Sequence, residues 1–248
     1  MQKDKKLVIM YMEGQNYDFS GIKVTIKSLK EHYNGEITVI VKNVDDRLLG
    51  FLREYDINII NSSDYNVIFN TSPYNNKIIY IHLYFEKYKE SLKDYEILYC
   101  DMNDVYFRTN PFNLKYDSLW FGLENLEIGK CQTNSIWCSV CYGNDILNLM
   151  KDNIVINSGI IMGHFSEIRN LYSLMIRDMS RILYKINYPI TDQIIVNKLV
   201  YVDKLSCTLD SINVNNLAQG IKTDINNLLN HQYKVNNEHK NILYKKYE

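Results

Sequence analysis

The sequence predicts an α/β fold, a mostly parallel central sheet flanked by helices. Three observations predict it. Strand-like apolar runs alternate with helical segments up to Asp101. The strand runs are apolar at consecutive positions, as in strands covered on both faces. With 248 residues, 46% hydrophobic and 23% charged, the chain can bury a sizeable core.

Residues 7–12, LVIMYM, read as a buried strand. Ile22, Ile26 and Leu29 recur at helical spacing in GIKVTIKSLKEHY. EITVIVKN follows as a strand, DDRLLGFLREY as a helix opened by acids, and INII as a short strand. NKIIYIHLYFEKYKESLKDY reads as one helix and EILYCD as the next strand. Past Pro111 the pattern is irregular, with SLWFGLENLEIG strand-like and NDILNLMKD helical. NIVINSGIIMG is a further strand, and residues 164–186 and 191–201 are helices. We read residues 1–225 as a single domain and residues 226–248 as a polar tail that closes over the site.

The formal net charge of −1 gives no basic excess of the kind nucleic-acid binders carry. No apolar run approaches the roughly 18–20 residues that span a bilayer. The lysines before LVIMYM resemble a leader, but Glu13 interrupts the run and no small-residue cleavage site follows. The expectation is a cytoplasmic protein of a bacterium, or of the host cell if the chain is viral. Ala218 is the only alanine among many Asn, Ile, Lys and Tyr residues, which points to an AT-rich genome. Cys138 and Cys141 form a C-x-x-C with no second ligand pair for zinc, so the five cysteines read as packing thiols.

The informative stretch is YEILYCDMNDVYFRTNPF. An apolar strand delivers Asp101 and Asp104 to its carboxyl end, where open α/β sheets bind ligands. Such acids suit Mg²⁺ or Mn²⁺ with room for phosphate oxygens. A strand-end turn with Asp101 as cap and Asp104 solvated is the alternative. The flanks favour the first reading. DMNDVYFRTNPF resembles the metal-binding segment of GT-A fold nucleotide-sugar glycosyltransferases, above all a bacterial and viral group with D-x-R-D-V-x-F followed by Asn/Asp-Pro-Phe. The match is at Asp101, Asp104, Val105, Phe107, Asn110, Pro111 and Phe112. Asn103 stands where that group has arginine, and no strict D-x-D is present. INSGIIMG, TDQIIVN, HQY and TNSIWCSVCYG resemble further segments of the group, in the same order.

The resemblance implies the GT-A fold, a Mn²⁺ or Mg²⁺ cofactor, a nucleotide-sugar donor, expected to be a UDP sugar, and a glycan acceptor. It places Asp101, Asp104 and His231 on the metal, with Asp104 favoured as the direct ligand. Asn103, Asn157, Ser158, Gly159, Gln193, Gln232 and Tyr233 fall on the donor, and Tyr11 or Tyr17 on its base. Asp192 is the expected general base of an inverting reaction, with Asp152 and Glu124 behind it, or a ligand of the donor sugar in a retaining one. Each match has a plainer reading: Asn157 and Ser158 ending a strand, Thr191 or Asp192 capping a helix, His231 solvated, Trp120 and Trp137 in the core. Two other functions stay open. A sugar-phosphate nucleotidyltransferase would carry a Gly-rich loop, which YMEGQNYDFSG lacks. A non-catalytic sugar- or nucleotide-binding protein would keep the fold without turnover.

Overall fold

The computed structural model describes residues 5–67, 71–114, 116–185, 192–210, 214–216, 229–231 and 237–248. In chain order the elements are β1 (Lys6–Glu13), α1 (Phe19–His32), β2 (Glu36–Lys42), α2 (Asp46–Glu54), β3 (Asn58–Asn61), α3 (Pro73–Lys87) and α4 (Lys89–Leu92). β4 (Glu96–Cys100), β5 (Val105–Phe107), β6 (Trp120–Glu127), α5 (Gln132–Tyr142), α6 (Asn144–Met150), β7 (Ile154–His164) and α7 (Phe165–Lys185) follow. The remainder is α8 (Asp192–Tyr201), β8 (Thr208–Asp210), β9 (Val214–Asn216), β10 (Leu229–His231) and α9 (Asn237–Lys246).

The main sheet has the order β3-β2-β1-β4-β7-β6-β8. β1 pairs in parallel with β2 and β4, β2 with β3, and β6 with β8; β7 runs antiparallel to both β4 and β6. The consecutive apolar residues of the strands divide between two layers. Leu7, Ile9, Ile97 and Tyr99 pack on one face with residues of α3, α7 and α8. Val8, Met10, Leu98 and Cys100 pack on the other with residues of α1 and α2. This is the period-two alternation of a strand buried on both sides.

Local chemistry sets the helix starts. Asp18 caps α1 by accepting from the Gly21 amide, Asp45 caps α2 through Leu48, and Ser72 caps α3 through Asn75, with Pro73 in the first turn. The single helix expected over residues 76–95 is two, because Tyr88 leaves helical geometry at ψ 16°. No described helix is long and apolar enough to cross a membrane.

A smaller sheet has the order β5-β10-β9. β5 follows directly on the two acids of interest. Two hydroxyls of α1 hold it: Thr25 Oγ1 donates to the Val105 carbonyl at 2.8 Å, and the Phe107 amide donates to Ser28 Oγ at 3.1 Å.

All five cysteines are free thiols. Cys138 and Cys141 face the core from α5, and burial pushes their thiols up to about 11 and about 12. Cys100 is fully buried beneath the acids. Cys100 and Cys138 should therefore resist a disulfide reagent at pH 8 in the native protein and react promptly in denaturant. Peptide mapping of the labelled thiols checks this; fast native labelling of either residue contradicts it.

Candidate active site

A cleft of about 700 Å³ opens at the carboxyl end of β4. Asp101, Asn103 and Asp104 form its floor, and Tyr11, Glu13, Asn16 and Tyr17 line it from the end of β1 and the loop beyond. Asn157, Ser158 and Gly159 enter from β7, and Asp192 and Gln193 from the first turn of α8. Pro73, Tyr74 and Lys77 come from α3 and Trp137 from α5.

β7 reaches the cleft through a distortion of its ladder. Phe121 pairs with Ile161 and Leu123 with Ile156, so one residue of β6 faces four of β7. Such extra residues re-aim a strand locally, and here they are Asn157, Ser158, Gly159 and Ile160. The Gly159 carbonyl accepts from the Asp101 amide at 2.8 Å, tying this segment to the acidic turn. Asn157 Oδ1 accepts from the Gly159 amide at 2.7 Å.

Lys77 dominates the electrostatics. Its Nζ lies 2.6 Å from Asp192 Oδ2 and 3.5 Å from Asp101 Oδ1, with 12% of the side chain exposed. Burial pushes its ammonium toward neutrality, but Asp101 and Asp192 outweigh this and raise its pKa above the usual lysine value. Ser158 Oγ also donates to Asp192 Oδ2, at 2.9 Å. Among the described residues, Lys77 and Ser158 thus share one oxygen of Asp192 and leave Oδ1 for a ligand. Tyr99, whose own phenol burial holds protonated, donates to Asp101 Oδ1 at 2.8 Å. The first carboxylate of the pair is therefore oriented by a phenol and an ammonium before any ligand arrives.

The two alternatives to Asp192 do not line the cleft. Asp152 is exposed in the turn before β7, five residues ahead of Asn157. Glu124 is buried beneath the cleft, where it accepts from Asn157 Nδ2 at 2.9 Å and Gln193 Nε2 at 3.2 Å. It orients two amides and is shielded from any substrate by them. Gln193 also donates to Asn134 Oδ1 at 3.1 Å.

At the opposite end, the Tyr11 ring is buried and stacked on Tyr80, centroids 6.0 Å apart, and its hydroxyl donates to Glu13 Oε2 at 2.6 Å. It forms wall rather than an open platform. Tyr17 donates to Asp45, the cap of α2. Asn76 Nδ2 and Lys42 Nζ fix the Glu13 carboxylate, at 3.0 and 2.9 Å. Trp120 is core, 2% exposed, whereas Trp137 reaches the cleft.

β10 pairs antiparallel with β5, with His231 opposite Val105, the residue after Asp104. Gln232 and Tyr233 lie outside the described residues. Among the described residues no third His, Cys, Asp or Glu side chain joins Asp101 and Asp104 in a metal-sized cluster.

Lys77, Glu13, Asn16 and Tyr74 were not singled out as site residues by sequence, and Trp137, read there as core, lines the cleft instead. For Lys77 a signal existed: it is a lone cation between Asn76 and an apolar run, where a solvent-facing lysine is unexpected.

Asn197 supports the site from below. Fully buried, it donates to the Ile156 carbonyl and the Gln193 carbonyl, both at 2.8 Å, and accepts from the Ile156 amide at 2.9 Å. Asn197→Leu strands the Ile156 amide and carbonyl in an apolar layer. The expected loss of stability is about 2–4 kcal/mol, read as a lowered urea midpoint.

The open α/β sheet, with β7 antiparallel inside it and a cleft at the carboxyl end of β4, is the GT-A glycosyltransferase fold. The solved structure of the galactosyltransferase LgtC in complex with donor and acceptor sugar analogs matches it with a TM-score of 0.58 and 14% identity. The match covers 97% of this chain and 96% of that one. No protein-family profile matches the sequence, and no curated protein matches it.

Proposed function

We propose that the protein is a metal-dependent glycosyltransferase that moves a sugar from a UDP donor to a hydroxyl of a glycan or other acceptor. One observation carries the reading. Asp101 and Asp104, Asn157 to Gly159, and Asp192 with Gln193 come from three separate elements and line one cleft in a GT-A fold. These are the segments whose sequences resemble the transferases.

The residues present fit a divalent cation. Asp101 and Asp104 offer hard oxygens at a strand end, and the register of β10 brings position 231 beside them. Asp101, Asp104 and His231 would hold it, and a neutral imidazole beside two carboxylates favours Mn²⁺ over Mg²⁺. When bound, the cation neutralises the charge that develops on the departing diphosphate.

The chain's own groups do the rest. Glu13, Asn16 and Tyr17 bound the nucleoside end, with Gln232 and Tyr233 on the donor. Asn157, Ser158, Gly159 and Gln193 offer polar groups to the donor sugar, and Asn103 lies beside the acids. Lys77 and Ser158 fix Asp192 so that its free oxygen meets a substrate hydroxyl. In an inverting reaction that oxygen takes the acceptor proton; in a retaining one it holds a donor hydroxyl. The anomeric configuration of the first product, by NMR, decides between them.

The test is a panel of nucleotide sugars with Mn²⁺ or with EDTA. The expected result is a raised melting temperature and slow release of UDP from one UDP sugar, with Mn²⁺ only. Binding without any release identifies a non-catalytic protein. Tight GDP binding with none for UDP refutes the uridine assignment. No response to any nucleotide sugar overturns the reading.

A further inference from the structure

The C-terminal helix α9 docks on α1, away from both main layers. Leu243 and Tyr247, 3% and 4% exposed, close a small apolar cluster on Val24. Polar contacts surround it. Tyr247 OH donates to Glu31 Oε2 at 2.7 Å, Lys246 Nζ donates to the same oxygen at 3.2 Å, and Lys27 Nζ donates to the Tyr247 carbonyl at 2.9 Å. Tyr244 donates from its hydroxyl to Asp18 Oδ2.

The position of this docking matters because of what α1 carries. Its cap, Asp18, follows directly on Asn16 and Tyr17 of the cleft. Its middle holds β5 through Thr25 and Ser28, and β5 follows directly on Asp104. β5 in turn pairs with β10, which carries His231. α9 also touches β5 itself: the Tyr247 and Tyr106 rings lie 6.2 Å apart, and Lys246 Nζ sits 5.9 Å from the Tyr106 ring. Three strands of three residues each are too little sheet to stand alone; β5 rests on α1 and β9 lies against β6, and the outer face of β5 takes a further support. α9 supplies it on the strand next to Asp104.

We propose that α9 is a clasp for the catalytic edge: docked on α1 and Tyr106, it keeps β10 paired to β5 and so holds residue 231 beside Asp104. Tyr244 is a positioning residue that acts through Asp18 on the Asn16–Tyr17 loop. The consequence for ligand binding rests on the metal site proposed above; the mechanical claim does not.

The experiment is hydrogen exchange by mass spectrometry on the full chain, with Mn²⁺-dependent UDP binding by calorimetry. Leu243→Asp undocks the helix. Exchange at Val105–Phe107 and Leu229–His231 should rise about tenfold or more, while Leu7–Met12 in the central sheet stays as in the parent. UDP affinity in Mn²⁺ should fall about tenfold. Tyr244→Phe removes one hydroxyl and keeps the packing. It should raise exchange at Gly14–Asp18 and weaken UDP binding severalfold without lowering the melting temperature, a combination that a merely structural contact would not give. If Leu243→Asp frees the amides of α9 while β10 and β5 exchange as in the parent, the clasp is overturned. Should the parent bind no nucleotide while exchange follows the expected pattern, the clasp stands and the proposed function falls.

Discussion

On the proposed function, Asp104→Asn is expected to lower Mn²⁺-dependent release of UDP by about a thousandfold or more, since removing a metal ligand would forfeit several kcal/mol of transition-state stabilisation. The substitution keeps the size of the side chain and removes one full charge from the floor of the cleft. Asp104 has the favoured place because, counted back from Asn110 and Pro111, it occupies the second acid of the transferase pattern. On the same reading His231→Ala should have a smaller effect, the loss of one ligand, and Asp101→Asn should fall between them. Mn²⁺ titrations of UDP binding for the three variants give the order directly. If Asp104→Asn binds as the parent does, these acids do not hold the cation, and the proposed chemistry loses its basis.

Lys77→Met carries the second large effect, on stability. The lysine is nearly buried against Asp192, whose side chain is 5% exposed, and Asp101 is close by. Removing one partner of a buried ion pair leaves an uncompensated charge, typically a loss of about 3–5 kcal/mol. The pH dependence has a definite sign. The pKa of Lys77 is raised above 10.5 in the folded chain. Its contribution is therefore fully present below 10.5 and is lost only as pH rises through the folded value. Urea midpoints of the parent gain or lose nothing from this group between neutrality and mildly alkaline pH. A variant as stable as the parent at pH 7 would show that water compensates the acids.

The parts of this molecule legible in its sequence are those with local causes. Consecutive apolar residues marked β1, β2, β4 and β7 because strands buried on both faces leave no room for polar ones. Asp18 and Asp45 stand where helices begin. Asp101 and Asp104 could be placed at a strand end, since the apolar run stops there. The direction of β7 could not be read, because an apolar run looks the same in either sense. β5, β9 and β10 are too short for any period to show, and α5 mixes polar and apolar residues on a helix that buries only Asn134, Cys138 and Cys141. Glu124 and Asn197 were opaque for another reason. Each has partners tens of residues away, so a buried polar side chain looks in sequence like a solvated one. Lys77 is the costliest omission, since its two partners lie 24 and 115 positions downstream.

The charge of the cleft has a kinetic consequence. Among the described residues Glu13, Asp101, Asp104 and Asp192 line it, against Lys77 inside the cleft and Lys42 on Glu13. A free nucleotide diphosphate approaching that surface meets like charge, and mobile ions shield like charges from one another. Its bimolecular association without divalent cations should therefore be slow and should quicken with added monovalent salt. A basic phosphate-binding loop would show the opposite slope. Stopped-flow traces across ionic strength would register the difference as an encounter rate rather than as an affinity.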